Sequence, residues 1–148
     1  MKKLMILLLM LFFISCDKNE ENQKIIDGVS WNMSKQEIKK ILSDKVLAAE
    51  TGNELVYRKV EMNVSEIYFR EEMDLVDFYF KNNKLQIISG AIMRMNNNDN
   101  FQTLKKIQNE CNIQTNEKLN NYSCNLYESG STLTLDIRYE NPKYKGKN

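Results

Sequence analysis

The sequence predicts an α+β fold: two helices packed on one face of an antiparallel sheet of about six strands, in two layers. Three observations predict it. Several stretches alternate apolar and polar residues with period two, which marks half-buried strands. Two other stretches carry apolar residues at i, i+3 and i+4, which marks amphipathic helices. The order of these stretches is helix, strands, helix, strands, and helices on one face of an antiparallel sheet satisfy that order.

The first helix is expected over residues 34–44. Ser34 and Glu37 have the spacing of a capping box, Met33 and Ile38 that of a hydrophobic staple, and Ile38, Ile41 and Leu42 form one apolar stripe. From Glu54 the period becomes two: Val56, Val60 and Met62 are read as inward, with Tyr57, Lys59 and Glu61 outward. A short strand is expected at 67–70, then a turn at 71–74. Next comes a strand in which Val76, Phe78 and Phe80 alternate with Asp77, Tyr79 and Lys81. Asn82 and Asn83 form a turn pair, since asparagine tolerates positive φ, and the return strand covers 84–94. After a polar break at 96–100, Phe101, Leu104, Ile107 and Cys111 line one face of a second helix, with Asp99 and Gln102 spaced as a capping box. Strands at 122–128 and 131–140 form a hairpin around Ser129-Gly130, and Leu133, Leu135, Ile137 and Tyr139 share the inner face of the second. The two halves suggest a degenerate helix-and-meander repeat.

The chain has 148 residues, which suits one domain, placed at 26–142 with a short tail at 143–148. It contains 21 Lys+Arg, 20 Asp+Glu and no histidine. A histidine general base, a Ser-His-Asp triad and histidine metal ligation are therefore excluded for this chain acting alone. The near-neutral balance argues against a nucleic-acid partner, which calls for a concentrated basic surface.

The opening residues carry the most specific signal. Lys2 and Lys3 precede an unbroken apolar run of 11 residues, 4–14. That run is too short to span a bilayer, which needs roughly 20 residues, but suits the hydrophobic region of a signal peptide. Ser15 and Cys16 follow, and then the polar stretch DKNEENQK. Phe13-Ile14-Ser15-Cys16 resembles the lipobox of bacterial lipoproteins, with Phe13 in place of the more usual leucine. The resemblance implies cleavage after residue 15 and diacylglyceryl modification of Cys16. Residues 16–25 are then the lipidated cysteine and a flexible tether. Cleavage removes Lys2 and Lys3, leaving 19 basic against 20 acidic residues. Asp17, Lys18, Glu20 and Glu21 also resemble the acidic signal that sends some Bacteroidetes lipoproteins to the cell surface, although Asn19 departs from it and a plain solvated linker accounts for the same residues.

Gly28-Val29-Ser30-Trp31-Asn32-Met33-Ser34, running into Glu37-Ile38-Lys39-Lys40-Ile41-Leu42, resembles the opening of the SmpA/OmlA outer-membrane assembly factors and the β-lactamase-inhibitor-like fold. Asn32 stands where that group often has glycine. The resemblance implies a helix-on-sheet scaffold that binds proteins, and it brings no catalytic residue with it.

The expected role is thus a membrane-anchored, non-catalytic module of the cell envelope that binds another protein. An enzyme or a small-ligand carrier of unrecognised type is the alternative. No cofactor or metal is expected. Glu71, Glu72, Asp74 and Asp77 cluster in the manner of paired glycosidase acids, yet a solvated turn accounts for the first three. Asn96 to Asp99 lack the glycine and ligand spacing of a calcium loop. Trp31 is read as packing beside the first helix. With Cys16 lipidated, Cys111 and Cys124 remain, and their inward positions in an oxidising compartment predict a disulfide, with two separate buried thiols as the alternative. The outward sheet face is the candidate partner surface, with Tyr57, Tyr79, Tyr127 and Arg138 its leading residues beside Lys59, Asp77, Asn125 and Asp136.

Overall fold

The computed structural model describes residues 25–65, 69–115 and 121–143. It contains a six-stranded antiparallel sheet and two helices, broadly α+β. The elements run α1 (Lys35–Ile41), β1 (Val46–Glu50), β2 (Glu54–Ser65), β3 (Phe69–Lys81), β4 (Lys84–Met95), α2 (Asn98–Thr115), β5 (Tyr122–Ser129) and β6 (Thr132–Glu140). The strand order is β1-β2-β3-β4-β6-β5. Four strands form a meander; the chain then crosses through α2 to the far edge, and β6 inserts between β5 and β4.

Local signals explain the turns and the start of α1. The Ser34 hydroxyl accepts from the Glu37 N–H while the Glu37 carboxylate accepts from the Ser34 N–H at 2.8 Å, a complete capping box. The helix ends at Ile41, three residues before the expected Asp44. Asn82 and Asn83 both hold positive φ, 53° and 58°, as the two-residue turn between β3 and β4 requires. Gly130, at φ 57°, opens the turn between β5 and β6. In α2 the cap lies two residues before the expected one: Asn97 Oδ1 accepts from the Asn100 N–H at 2.9 Å.

Strand β1 has no counterpart in the sequence reading. All five of its residues are exposed, so no alternation marks it. Pairing with β2 defines it, and Glu50 anchors it to α1 through Lys39 at 2.8 Å and Lys35 at 3.3 Å. The expected turn at 71–74 is also corrected. These residues lie inside β3, which merges the two expected strands into one of 13 residues. Acidic residues are poor strand formers. Here they are held by cross-strand partners: Glu72 and Asp74 both pair with Lys59 on β2.

The sheet forks. The β3–β4 ladder runs from Lys81↔Lys84 to Leu75↔Ala91 and stops. Beyond that point β2 and β3 stay paired to Ser65↔Phe69, and β4 and β6 to Met95↔Thr132. At the fork both strands of the β2–β3 arm change phase. Leu55 and Tyr57 point inward, then Val60, Met62 and Val64; opposite them Phe80, Phe78 and Val76 point inward, then Met73. The shift falls at Lys59, whose φ is 55°, a left-handed conformation that re-aims the strand.

Asp74 fills the gap that the fork opens. Its Oδ2 accepts from the Met93 N–H at 2.7 Å and from Arg94 at 3.0 Å, and its Oδ1 accepts from Lys59 at 2.8 Å. The carboxylate thus takes the place of the strand neighbour that Met93 has lost. Gly90 makes a second allowance. A Cβ there would strike Met62 and would lie 2.9 Å from Met73 Cγ, so the bare glycine lets the arm's methionines lie over β4.

One continuous core results. It joins Ile38 and Leu42 beside α1, the inward residues of β2, β3, β4 and β6, and Leu104, Ile107 and Cys111 of α2. Trp31 is partly buried against it. Asn32 adopts φ 73°, a conformation that glycine would take without strain.

Candidate functional site

Two groups of residues are candidates: the more exposed sheet face and a buried thiol cluster. On the sheet face, pairing registers Asp77 with Ser89 and Ser89 with Arg138, in a row across β3, β4 and β6. The adjacent same-face row is Tyr79, Ile87 and Glu140. Arg138 Nε donates to Glu140 Oε1 at 3.1 Å, and Ser89 Oγ donates to Asp136 Oδ1 at 2.9 Å. Tyr79 lies opposite Glu54 in the β2–β3 ladder, and that carboxylate, together with burial, holds the phenol above its ordinary pKa. Burial also raises the carboxyl of Asp77, and the charges of Glu54 and Asp136 reinforce it.

Tyr79, at 39% exposure, and Arg138 therefore sit in neighbouring rows. Tyr127, at 55% exposure, belongs to a different part of this face. It pairs with Thr134, which pairs with Met93, four residues along β6 from Arg138 and so about 14 Å away along the strand. Met93 and Met95 are exposed beside it. This small apolar corner had no signal in the sequence, because an exposed methionine is recognised only once its strand face is known.

Tyr57 requires a correction. It is buried, with 2% exposure, and stacks edge-on against Phe78 at a ring-centroid distance of 6.0 Å. The expected alternation put Val56 inward with Val60. The change of phase at Lys59 reverses everything before it, so Tyr57 joins the core and leaves the candidate face. Lys59 is exposed but committed to Glu72 and Asp74. Of the four clustered acids, Glu72 and Asp74 are thus engaged in the arm of the sheet, and Asp77 alone reaches the shared row.

The second group lies where α2 meets β5 and the end of β2. Cys111 and Cys124 are free thiols, both buried. The Tyr122 hydroxyl lies 2.7 Å from Cys111 Sγ and donates to the Val64 carbonyl at 2.5 Å. Since the Tyr122 O–H is given to Val64, the Cys111 S–H is the donor to Tyr122. The neighbouring Cys124 thiol draws the Cys111 pKa down, with burial opposing it. Cys124 is pushed up, first by the neighbouring Cys111 thiol and then by burial. Tyr122 is pushed up chiefly by burial. Beside this cluster Tyr139 stacks on Tyr122 at 4.5 Å and donates to the Asn63 carbonyl at 2.8 Å. The tyrosine bridges leave no local mark in the sequence, because their acceptors lie far away in the chain.

Cys16 lies outside the described residues, as do the leader and most of the tether. Among the described residues no group of three or more acidic or cysteine side chains is placed to hold a metal ion, and no helix is long and apolar enough to cross a membrane. Compared with known protein families, with characterised proteins and with solved structures, the chain matches none.

Proposed function

We propose that this chain is a bacterial lipoprotein, anchored through lipids on Cys16 to an envelope membrane, most simply the outer membrane, where its domain binds another protein and performs no catalysis. The observation that carries the anchor is the opening segment: Lys2 and Lys3, the apolar run at 4–14, Ser15-Cys16, then eight polar residues before the core begins at Ile25. Each buried CH₂ of a lipid chain contributes roughly 0.8 kcal/mol, so two or three chains on one residue would anchor the domain without a transmembrane helix. We place both helices as one layer on the inner side of the sheet, as in the assembly-factor scaffold that the segment from Gly28 to Leu42 resembles. Support comes from the core shared by Ile38, Leu42, Leu104 and Ile107 with the sheet, and from the glycine-like φ of Asn32. The opposite face, with Tyr79, Asp77 and Arg138, is the proposed partner surface. Tyrosine and arginine offer contact area and directed hydrogen bonds at modest entropic cost.

Two measurements test this reading. Expressed in a bacterium, the chain should incorporate a palmitate analogue, and Cys16→Ser should abolish incorporation; label that survives the substitution refutes the anchor. Crosslinking in intact cells should yield a defined adduct that Tyr79→Ala and Arg138→Ala weaken without lowering the thermal midpoint. An adduct lost instead in Lys40→Glu, on α1, would put the binding surface on the helix side.

A further inference from the structure

We propose that Cys111 and Cys124 form a structural disulfide that fastens the end of α2 to β5 and is sealed inside the folded domain. Its formation in the cell rests on the export reading above; the pairing itself does not. Cys111 completes the apolar stripe of α2, Cys124 points inward from β5, and both are buried in the one core. Their flanks are held as well. Gln108, about one turn before Cys111, donates to the Cys124 carbonyl at 3.4 Å, and the hydroxyl of Tyr122, two residues before Cys124 on β5, lies 2.7 Å from Cys111 Sγ. Helix and strand therefore already meet on both sides of the proposed bond.

The oxidant is a disulfide-bearing molecule. The Cys111 thiolate attacks one of its sulfurs, breaks the oxidant's S–S bond, expels the first oxidant thiol and leaves a mixed disulfide. The Cys124 thiolate then attacks Cys111 Sγ and expels the second. Two electrons and two protons pass from the cysteine pair to the oxidant, which ends as two thiols. Burial sets the timing. With Cys111 at 0% and Cys124 at 3% exposure, no oxidant reaches either sulfur once α2 has docked. The bond must close during folding, and afterwards the same burial keeps reductants out.

The test uses the full chain with Cys16→Ser, so that two cysteines remain, reduced and unfolded and then refolded with oxidised glutathione. Renatured protein should show no titratable thiol when unfolded again without reductant, and should be lighter by two hydrogens. Its native state should withstand dithiothreitol that reduces it at once in denaturant, and Leu104→Ala, which loosens α2, should speed that native-state reduction. Reducing the bond should shift the folding equilibrium toward the unfolded chain by on the order of a hundredfold, as expected for a loop of roughly a dozen residues. Two free thiols, or glutathione attached to either cysteine in place of the bond, overturns the pairing. Reduction equally fast in native and denatured protein overturns the sealing.

Discussion

Replacing Gly90 by alanine tests the fork most directly, because two effects of known size oppose each other there. In an ordinary strand interior the change would stabilise by roughly 0.5–1 kcal/mol, since glycine loses the most backbone freedom on folding. The φ of Gly90 is not positive, so backbone strain does not oppose the gain. The neighbours do. The new methyl would meet Met62, and Met73 Cγ at 2.9 Å, and both methionines are fully buried. Methionine is flexible, so some of the overlap relaxes. Overpacking of this kind still costs about 1–3 kcal/mol. The net expectation is a loss of about 1–2 kcal/mol, or a fall of about 3–6 °C in thermal midpoint for a domain of this size. Met62→Ala removes the main obstacle at its own cavity cost of about 2–5 kcal/mol. Combined with Gly90→Ala it should cost less than the sum by about 1 kcal/mol or more. Urea unfolding of the four proteins gives the cycle. A Gly90→Ala variant more stable than wild type, or a cycle that adds without coupling, would show that the arm does not lie over β4 as described.

Two acids three residues apart on β3 should respond in opposite directions. Burial raises the Asp74 carboxyl, but the bonds from Lys59 and the Met93 N–H outweigh it and leave the pKa lowered. Its stabilisation is therefore complete above the unfolded value near 3.9 and is lost as pH falls through the folded value. Asp74→Asn should cost about 1–2 kcal/mol at pH 7 and flatten the acid limb of a stability-versus-pH curve. The Asp77 carboxyl is raised, so its penalty is absent below the unfolded value and grows as pH climbs through the folded one. Asp77→Asn should thus stabilise at pH 7, with the difference vanishing toward pH 3; urea unfolding across that range shows both, and a shared sign would contradict the assignment. Tyr122→Phe takes the hydroxyl from both the Val64 carbonyl and Cys111, leaving them the long 4.0 Å contact with each other, and should cost about 1–3 kcal/mol. Equilibrium unfolding of the reduced protein measures it, and an unchanged midpoint would mean that the hydroxyl bridge is absent in solution.

What the sequence disclosed depended on how local each cause was. The Ser34–Glu37 box, the Asn82-Asn83 turn and the alternation of β6 each answer to residues within one or two turns, and all three are present in the structure. Strand β1 gave no sign because nothing in it is buried. The middle of β3 looked like a turn because strand preference reflects the packing of partners, and the partners of Glu72 and Asp74 lie elsewhere in the chain. Alternation puts Tyr57 on the wrong face because it is informative only relative to a starting phase, and that phase changes at Lys59. The candidate thiol cluster was half legible: a helical stripe and a strand face point both cysteines inward, but neither pattern reveals Tyr122 between Cys111 and Val64.

The fork connects these departures. A β2–β3 arm that leaves the sheet must satisfy the backbone of Met93, turn its apolar pleat to keep facing the core, and find room above the strand it crosses. Asp74, Lys59 and Gly90 meet these needs in turn. None of the three is an apolar residue at a patterned position, so each reads in isolation as a surface acid, a surface lysine and a flexible glycine. Their work becomes visible only at the far end of the arm, where Asn63 and Val64 receive the hydroxyls of Tyr139 and Tyr122. The buried thiols lie at that contact, so the pairing of Cys111 with Cys124 and the geometry of the fork are parts of one arrangement. Loosening the arm at Asp74 or Gly90 would be felt at the cysteines, and closing the disulfide would hold in place the strand that the arm rests against.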